Sequence, residues 1–267
     1  MDLGVDANNN GTGTWMQLTP ALAVGVMPHI TVSFSLPLYY LNAASSIDAA
    51  KASRGVGDAV ARFTLDANLD TNSFYATLTA GAPTGSAANG LGAGKATCDL
   101  SAFAQLQLGR MSPYVTGGLS NNAGIASESQ TAGSGAGRLA PGIASGNLGH
   151  AEAGIEVDLG RSTYATASVY GVFASASSVT TTTVVGGVRR GPRGRPVRAG
   201  ATTTPITGTI DDQSDHGVGA VLWTQLNEAV DVGLWVSHSL LYKNFNTISI
   251  SANVNVAQFG RKARAHQ

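Results

Sequence analysis

Residues 149–173 alternate apolar and polar side chains with a period of two, over 150–159 and again over 164–173. In both runs the odd positions are apolar or glycine, and the even positions of the first run include three carboxylates, Glu152, Glu156 and Asp158. This alternation predicts two strands, and the intervening turn 160–162 predicts a hairpin. A soluble sheet packs its apolar face on a core. A membrane barrel instead turns that face to lipid and lines a wet lumen with the charged one.

The same alternation recurs along the chain and gives twelve predicted strands, most of about ten residues, enough to cross a bilayer at barrel tilt. Short turns and long Gly, Ser, Thr and Asn loops alternate between them, which is typical of periplasmic turns and extracellular loops. A soluble sandwich has no reason to place its long loops at one end. The sequence therefore predicts an all-β, transmembrane, antiparallel up-and-down barrel over 1–259, with a basic tail at 260–267.

Composition narrows the class further. Only 12% of residues are charged, and no apolar run approaches the roughly 20 residues that a membrane helix needs. Lys+Arg and Asp+Glu both total 16, so we expect no nucleic-acid partner. Nothing indicates a cofactor. The chain opens without the basic and apolar regions of a signal peptide, which export to the bacterial outer membrane requires, so a mature or shortened form is expected.

Three stretches match family signatures, in order: Leu36-Pro37-Leu38-Tyr39-Tyr40, Gly55-Val56-Gly57-Asp58, and Ala82-Pro83-Thr84-Gly85-Ser86 followed by Gly90-Leu91-Gly92-Ala93-Gly94. They are similar to the "LP", "GxGD" and "PTG…GxGxG" signatures of the outer-membrane transporter family assigned to the MetA pathway of phenol degradation. The resemblance implies an outer-membrane barrel that passes small, often hydrophobic or aromatic, compounds.

On this interpretation the chain is a passive channel for such solutes. An unpaired charge facing hydrocarbon would cost several kcal/mol, so the charged face must be wet or internally paired. The aromatic residues on that face either contact solutes or only fill space, and the sequence leaves both open. The residues predicted to line the lumen are Asp58, Arg62, Asp66, Asp99, Phe103, Glu152, Glu156, Asp158, Tyr164, Tyr170, Asp231 and Trp235.

Two other functions stay open. One is a non-conducting surface barrel whose long loops, 120–147 and 174–215, bind envelope or host partners. The other is a membrane hydrolase, since paired acids with a histidine can activate water. The residues for it would be Asp211, Asp212, Asp215 and His216, or His150 beside Glu152 and Ser168. No further catalytic partners are identifiable, so we do not expect an enzyme.

The loop 174–215 also carries a basic segment with the residues Arg189, Arg190, Arg193, Arg195 and Arg198, spaced by glycine and proline. At the cell exterior these guanidinium groups could bind lipopolysaccharide phosphates through charge-assisted hydrogen bonds. A loop without a partner is the alternative.

Overall fold

The computed structural model shows a closed antiparallel β-barrel. The first strand of its sheet pairs with both the second and the last, so the described sheet has no free edge along this seam. The structure describes residues 2–10, 13–43, 53–67, 72–89, 91–122, 147–174, 179–185, 188–190, 196–198, 202–208, 214–241 and 246–256. In this part of the chain no helix is long and apolar enough to span a membrane.

The strands are β1 (Asp2–Asn10), β2 (Gly13–Met27), β3 (Ile30–Ser35), β4 (Leu38–Ala43), β5 (Ser53–Val56), β6 (Ala59–Asp66), β7 (Ser73–Ala82), β8 (Thr97–Gln105), β9 (Met111–Ser120), β10 (Leu148–Gly160), β11 (Thr163–Ala174), β12 (Val179–Val185), β13 (Val188–Arg190), β14 (Pro196–Arg198), β15 (Thr202–Gly208), β16 (Asp215–Asn227), β17 (Val230–Ser239) and β18 (Asn246–Asn255). The pairs β12 with β15 and β13 with β14 lie outside the barrel sheet. A single 3-10 turn spans Ala87–Asn89.

Two barrel strands are interrupted. β3 and β4 both pair with β2, so together they form one strand across the wall. β6 pairs with β3 and β5 pairs with β4, so β5 and β6 together form the next strand. Counted in this way, the fourteen segments of the sheet make the twelve strands that the sequence predicts. The prediction of a twelve-stranded up-and-down barrel is confirmed.

The predicted alternation of short and long connections has one exception. β2 ends at Met27 beside the short turn to β3, so its start lies at the end with the long loops. There Asn10 already pairs with Gly13, which leaves only two residues between β1 and β2. The connection is short because the strands pair up to their last residues, and the sequence marks it by the turn cluster Asn8-Asn9-Asn10-Gly11.

The exposed side chains of the wall are apolar and the enclosed ones are polar. On β8, Leu100 is 58% exposed while its neighbour Asp99 is 0% exposed. On β18, Ile250 is 56% exposed and Ser251 only 3%. A water-soluble sheet hides its apolar face, so this wall is suited to contact with lipid around a polar interior.

The hairpin predicted for residues 149–173 forms, with Glu152 of β10 opposite Tyr170 of β11. At its turn, Arg161 and Ser162 have φ of 53° and 58°. Positive φ at both central residues is the geometry of the tight turn that matches the right-handed twist of a hairpin. The register of this hairpin brings the polar residues of both strands onto the interior face.

Candidate functional site

The interior face carries a layer of buried carboxylates near the end with the long loops. We call Asp99, Glu152 and Asp215 the carboxylate layer; their exposed fractions are 0%, 1% and 2%. They lie on β8, β10 and β16, and together with their partners on β9, β11 and β17 they cover six neighbouring strands of the barrel. Each is held by a different contact.

His150 crosses a whole strand to reach Asp99. Its Nε2 lies 2.7 Å from Asp99 Oδ1, and both side chains are fully buried. The strand between them, β9, has Gly118 at the crossing point, where a Cβ would lie 2.6 Å from His150 Nε2. Since a carboxylate only accepts hydrogen bonds, Nε2 donates. In the neutral ring Nδ1 then holds the lone pair, and this atom has no partner among the described residues.

Glu152 and Asp215 are held by hydroxyl groups. Tyr114 donates to Glu152 Oε1 at 2.5 Å. Ser239 donates to Asp215 Oδ1 at 2.5 Å, and Tyr170 donates to the other oxygen at 3.4 Å. Hydrogen bonds from neutral donors position a carboxylate without cancelling its charge.

Aromatic rings line the same interior face. Tyr75 stacks on Phe103 with ring centroids 4.4 Å apart, and Phe103 stacks on the buried Tyr114 at 5.7 Å. These three rings cross β7, β8 and β9. Such offset stacking is typically worth about 0.5–1.5 kcal/mol per pair beyond area burial.

Glycines make room for several of the large side chains. A Cβ at Gly154 would lie 2.7 Å from Tyr114 Oη, and one at Gly217 would lie 2.5 Å from Tyr170 Oη. At Gly233 a Cβ would lie 2.1 Å from the ring of Trp223. These rings therefore lie along the wall, over the glycine of a neighbouring strand, instead of extending across the lumen.

The predicted lining residues fall into two groups. Asp99, Phe103, Glu152 and Tyr170 are buried, and the first and third belong to the carboxylate layer. The others are half-buried or exposed, and alternation puts all of them except Asp58 on the face opposite the exposed apolar side chains: Arg62, Asp66, Glu156, Asp158, Tyr164, Asp231 and Trp235.

Contacts in the second group are mostly weaker. Asp66 pairs with the exposed His29 at 3.2 Å, Gln105 approaches Glu156 at 3.5 Å, and Asp158 accepts from the turn amide of Gly160 at 2.6 Å. The indole nitrogen of Trp235 is buried and lacks a hydrogen-bond partner within the described ranges. Most side chains of this group are more open to solvent than those of the carboxylate layer.

Asp58 belongs to a different site. Its two carboxylate oxygens accept from the amides of Gly85 at 2.9 Å and Ala93 at 2.7 Å. Both amides belong to the connection between β7 and β8, residues 83–96, which we call the anchored loop. Thr84 Oγ1 bonds to both sides of the break between β5 and β6. It accepts from Ala59 N at 2.8 Å and donates to Gly57 O at 2.9 Å.

The three stretches with family resemblance therefore meet at one point of the wall. Gly57, in the break between β5 and β6, donates its N–H to the carbonyl oxygen of Pro37, in the break between β3 and β4, at 2.7 Å. A Cβ at Gly92 would lie 2.5 Å from Asp58 Oδ1 and 2.9 Å from the backbone of Gly85. Glycine is required here because the loop backbone packs directly on the carboxylate. These motifs are separate along the chain, and only the fold shows that they form one cluster.

Asp215 and His216 of the first hydrolase set are not brought together, whereas His150, Glu152 and Ser168 of the second set are all buried on the interior face. Asp215 is buried in the carboxylate layer, whereas the adjacent His216 is exposed and lies on the opposite face of β16. Asp211 and Asp212 lie outside the described residues, as do Arg193 and Arg195. Arg189, Arg190 and Arg198 lie in the β13 and β14 pair, and the contact with lipopolysaccharide stays a prediction. In the described ranges no group of three or more His, Cys, Asp or Glu could hold a metal.

A cavity of about 660 Å³ lies against the outer wall. A row of small residues crosses four neighbouring strands there, Ala76, Ala102, Gly117 and Ala151, each opposite the next in register. These positions share the face of the exposed apolar side chains. The cavity is therefore a lipid-facing groove and not part of the lumen.

Sequence reasoning missed Tyr114 and Asp215 as interior residues of this layer. Both have the interior parity of their strands, which was a usable signal. The inward glycines, such as Gly118, were a second signal, but their meaning depends on which residue lies beside them on the next strand.

No protein-family model matches the chain, and no curated protein matches it either. Among solved structures, the COG4313 outer membrane channel from Pseudomonas putida F1 aligns with a TM-score of 0.60 at 13% identity, covering 95% of this chain and 94% of that chain. The KdgM porin aligns at 0.54 with 4% identity over 96% and 99%. The NanC porin aligns at 0.53 with 6% identity over 95% and 100%.

At these identities the likeness establishes the fold, that of an outer-membrane β-barrel. This fold and the apolar outer wall place the chain in the bacterial outer membrane. Membership of the MetA-pathway family stays a prediction.

Proposed function

We propose that the protein is a passive outer-membrane channel for small hydrophobic or aromatic solutes. The observation that carries the proposal is the stack Tyr75, Phe103 and Tyr114 on the interior face of a closed twelve-stranded barrel. Tyr75 is 37% exposed, so this end of the stack offers a ring to a passing solute. The channel neighbours named above share the fold and are consistent with this role.

The chemistry of the wall suits weak, reversible contact. Aromatic faces bind aromatic solutes by stacking, while the many serine and threonine hydroxyls of the interior can exchange hydrogen bonds with solute hydroxyl groups. Weak binding at several positions allows a solute to enter and also to leave.

The test is block of ionic current through the refolded protein in planar bilayers by a neutral aromatic alcohol. We expect partial block in the wild type and weaker block in Phe103→Ala, which removes the middle ring of the stack. Leu100→Ala is the matched control, because Leu100 lies on the same strand and is 58% exposed on the lipid-facing side. Equal block in all three proteins would refute the aromatic passage.

A second candidate is the non-conducting surface barrel. The polar side chains of the carboxylate layer are almost completely buried, which favours this candidate. Side chains that plug a lumen would be buried in the same way. A folded barrel that carries no current would support this candidate, with loops 120–147 and 174–215 as the binding regions.

A further inference from the structure

The interior face of the barrel carries far more acid than base. Its described carboxylates are Asp66, Asp99, Glu152, Glu156, Asp158, Asp215 and Asp231, against one guanidinium, Arg62, and the imidazole of His150. If Arg62 and His150 each cancelled one carboxylate, seven minus two would still leave an excess of five among the described residues. The balance of the whole chain is nevertheless zero.

The compensating bases are elsewhere in the chain. Eight of the 16 Lys and Arg residues fall in two segments, five in 189–198 and three in 261–264. Others lie in connections between strands, including Lys95, Arg110 and Arg161. Among the described residues, the interior face of the barrel therefore carries more acid than base.

The carboxylate layer has a second feature that points to a ligand. Next to Asp99, two buried polar atoms have no hydrogen-bond partner in the described part of the protein, Thr79 Oγ1 and His150 Nδ1. Thr79 is 0% exposed and lies directly opposite Asp99 in register. Both atoms can accept a hydrogen bond, which suits a cationic N–H donor, and Arg62 lies opposite Thr79 in register on the neighbouring strand β6.

We infer that the lumen is selective for cations and admits small amines in their ammonium form while it excludes carboxylates. The inference rests on the proposed channel function and names the charge class of its solutes. The selecting groups are Asp99, Glu152 and Asp215. Acidic side chains that line a lumen attract cations and repel anions, and this effect is stronger in a narrow lumen with low-dielectric walls. Aromatic amines thus fit both the rings and the charge of the interior.

The experiment measures the reversal potential of the refolded protein in a potassium chloride gradient. For the wild type we expect the permeability to potassium to exceed that to chloride by at least about fivefold. A fixed negative charge in the lumen attracts potassium and repels chloride. The triple variant Asp99→Asn, Glu152→Gln, Asp215→Asn should bring this ratio close to one. Asp66→Asn is the control, since Asp66 lies near the short-turn end and pairs with exposed His29; it should change the ratio much less.

A second measurement needs no variant. Benzylammonium should block or carry current in the wild type at concentrations at which benzoate, of similar size and opposite charge, does neither. A conducting protein with equal or greater permeability to chloride and benzoate would overturn the inference and leave the channel function standing. A folded barrel without current would overturn both.

Discussion

Replacement of Asp58 by alanine tests whether the anchored loop is held to the barrel wall as the structure shows. The carboxylate is the acceptor for the amides of Gly85 and Ala93, and Ala93 is only 9% exposed. Loss of the acceptor leaves a buried amide unsatisfied, at a cost of about 1–3 kcal/mol. The half-buried Gly85 amide can be hydrated and should add less than about 1 kcal/mol. We therefore expect Asp58→Ala to lower the free energy of unfolding by about 2–3 kcal/mol.

The assay is equilibrium urea unfolding of the refolded barrel in lipid or detergent. Asp58→Asn keeps one neutral acceptor and should lose about half as much as the alanine variant. Asp66→Ala is the matched control, because its ion pair with His29 has side chains 61% and 33% exposed and should contribute no more than about 1 kcal/mol. The reasoning is refuted if Asp58→Ala and Asp66→Ala destabilise the barrel equally.

Two further predictions concern the wall. Gly118→Ala places a Cβ 2.6 Å from His150 Nε2 and 2.5 Å from Leu100 O, so it should break the contact between His150 and Asp99 and lower the thermal unfolding midpoint clearly. Gly25→Ala, where a Cβ meets nothing within 4 Å, should leave the midpoint almost unchanged. Equal midpoints for the two variants would contradict the contact that His150 makes with Asp99 across Gly118 of β9. Leu100→Arg puts a charge on the lipid-facing side and should cost about 2–4 kcal/mol if Leu100 lies near the bilayer midplane. Unfolding in lipid vesicles measures this, with Leu100→Met as the control, and an unchanged stability of the arginine variant would contradict the lipid-facing assignment.

Much of the fold follows from the period of two. Alternation in segments such as 150–159 predicts each strand separately, and the apolar face of every strand is the exposed one because the whole wall contacts lipid. Such local patterns predict both the number of strands and the face of the sheet on which each side chain lies. The inward placement of most predicted lining residues needs no further information.

The contacts of the site could not be obtained in this way. The bond between Asp99 and His150 skips β9, so it depends on the register of two strand pairs and on Gly118 between them. The cluster at Asp58 joins residues up to 35 positions apart through the backbone of a loop, which no periodicity describes.

The most direct test of the central claim, that the polar interior is a passage, is the single-channel current of the wild-type protein alone. The protein would be refolded, shown by its heat-modifiable mobility to be a closed barrel, and inserted into planar bilayers. The account predicts discrete and reproducible steps of small conductance, as expected for the narrow lumen of a twelve-stranded barrel. A folded and inserted barrel that shows no steps at any voltage would contradict it.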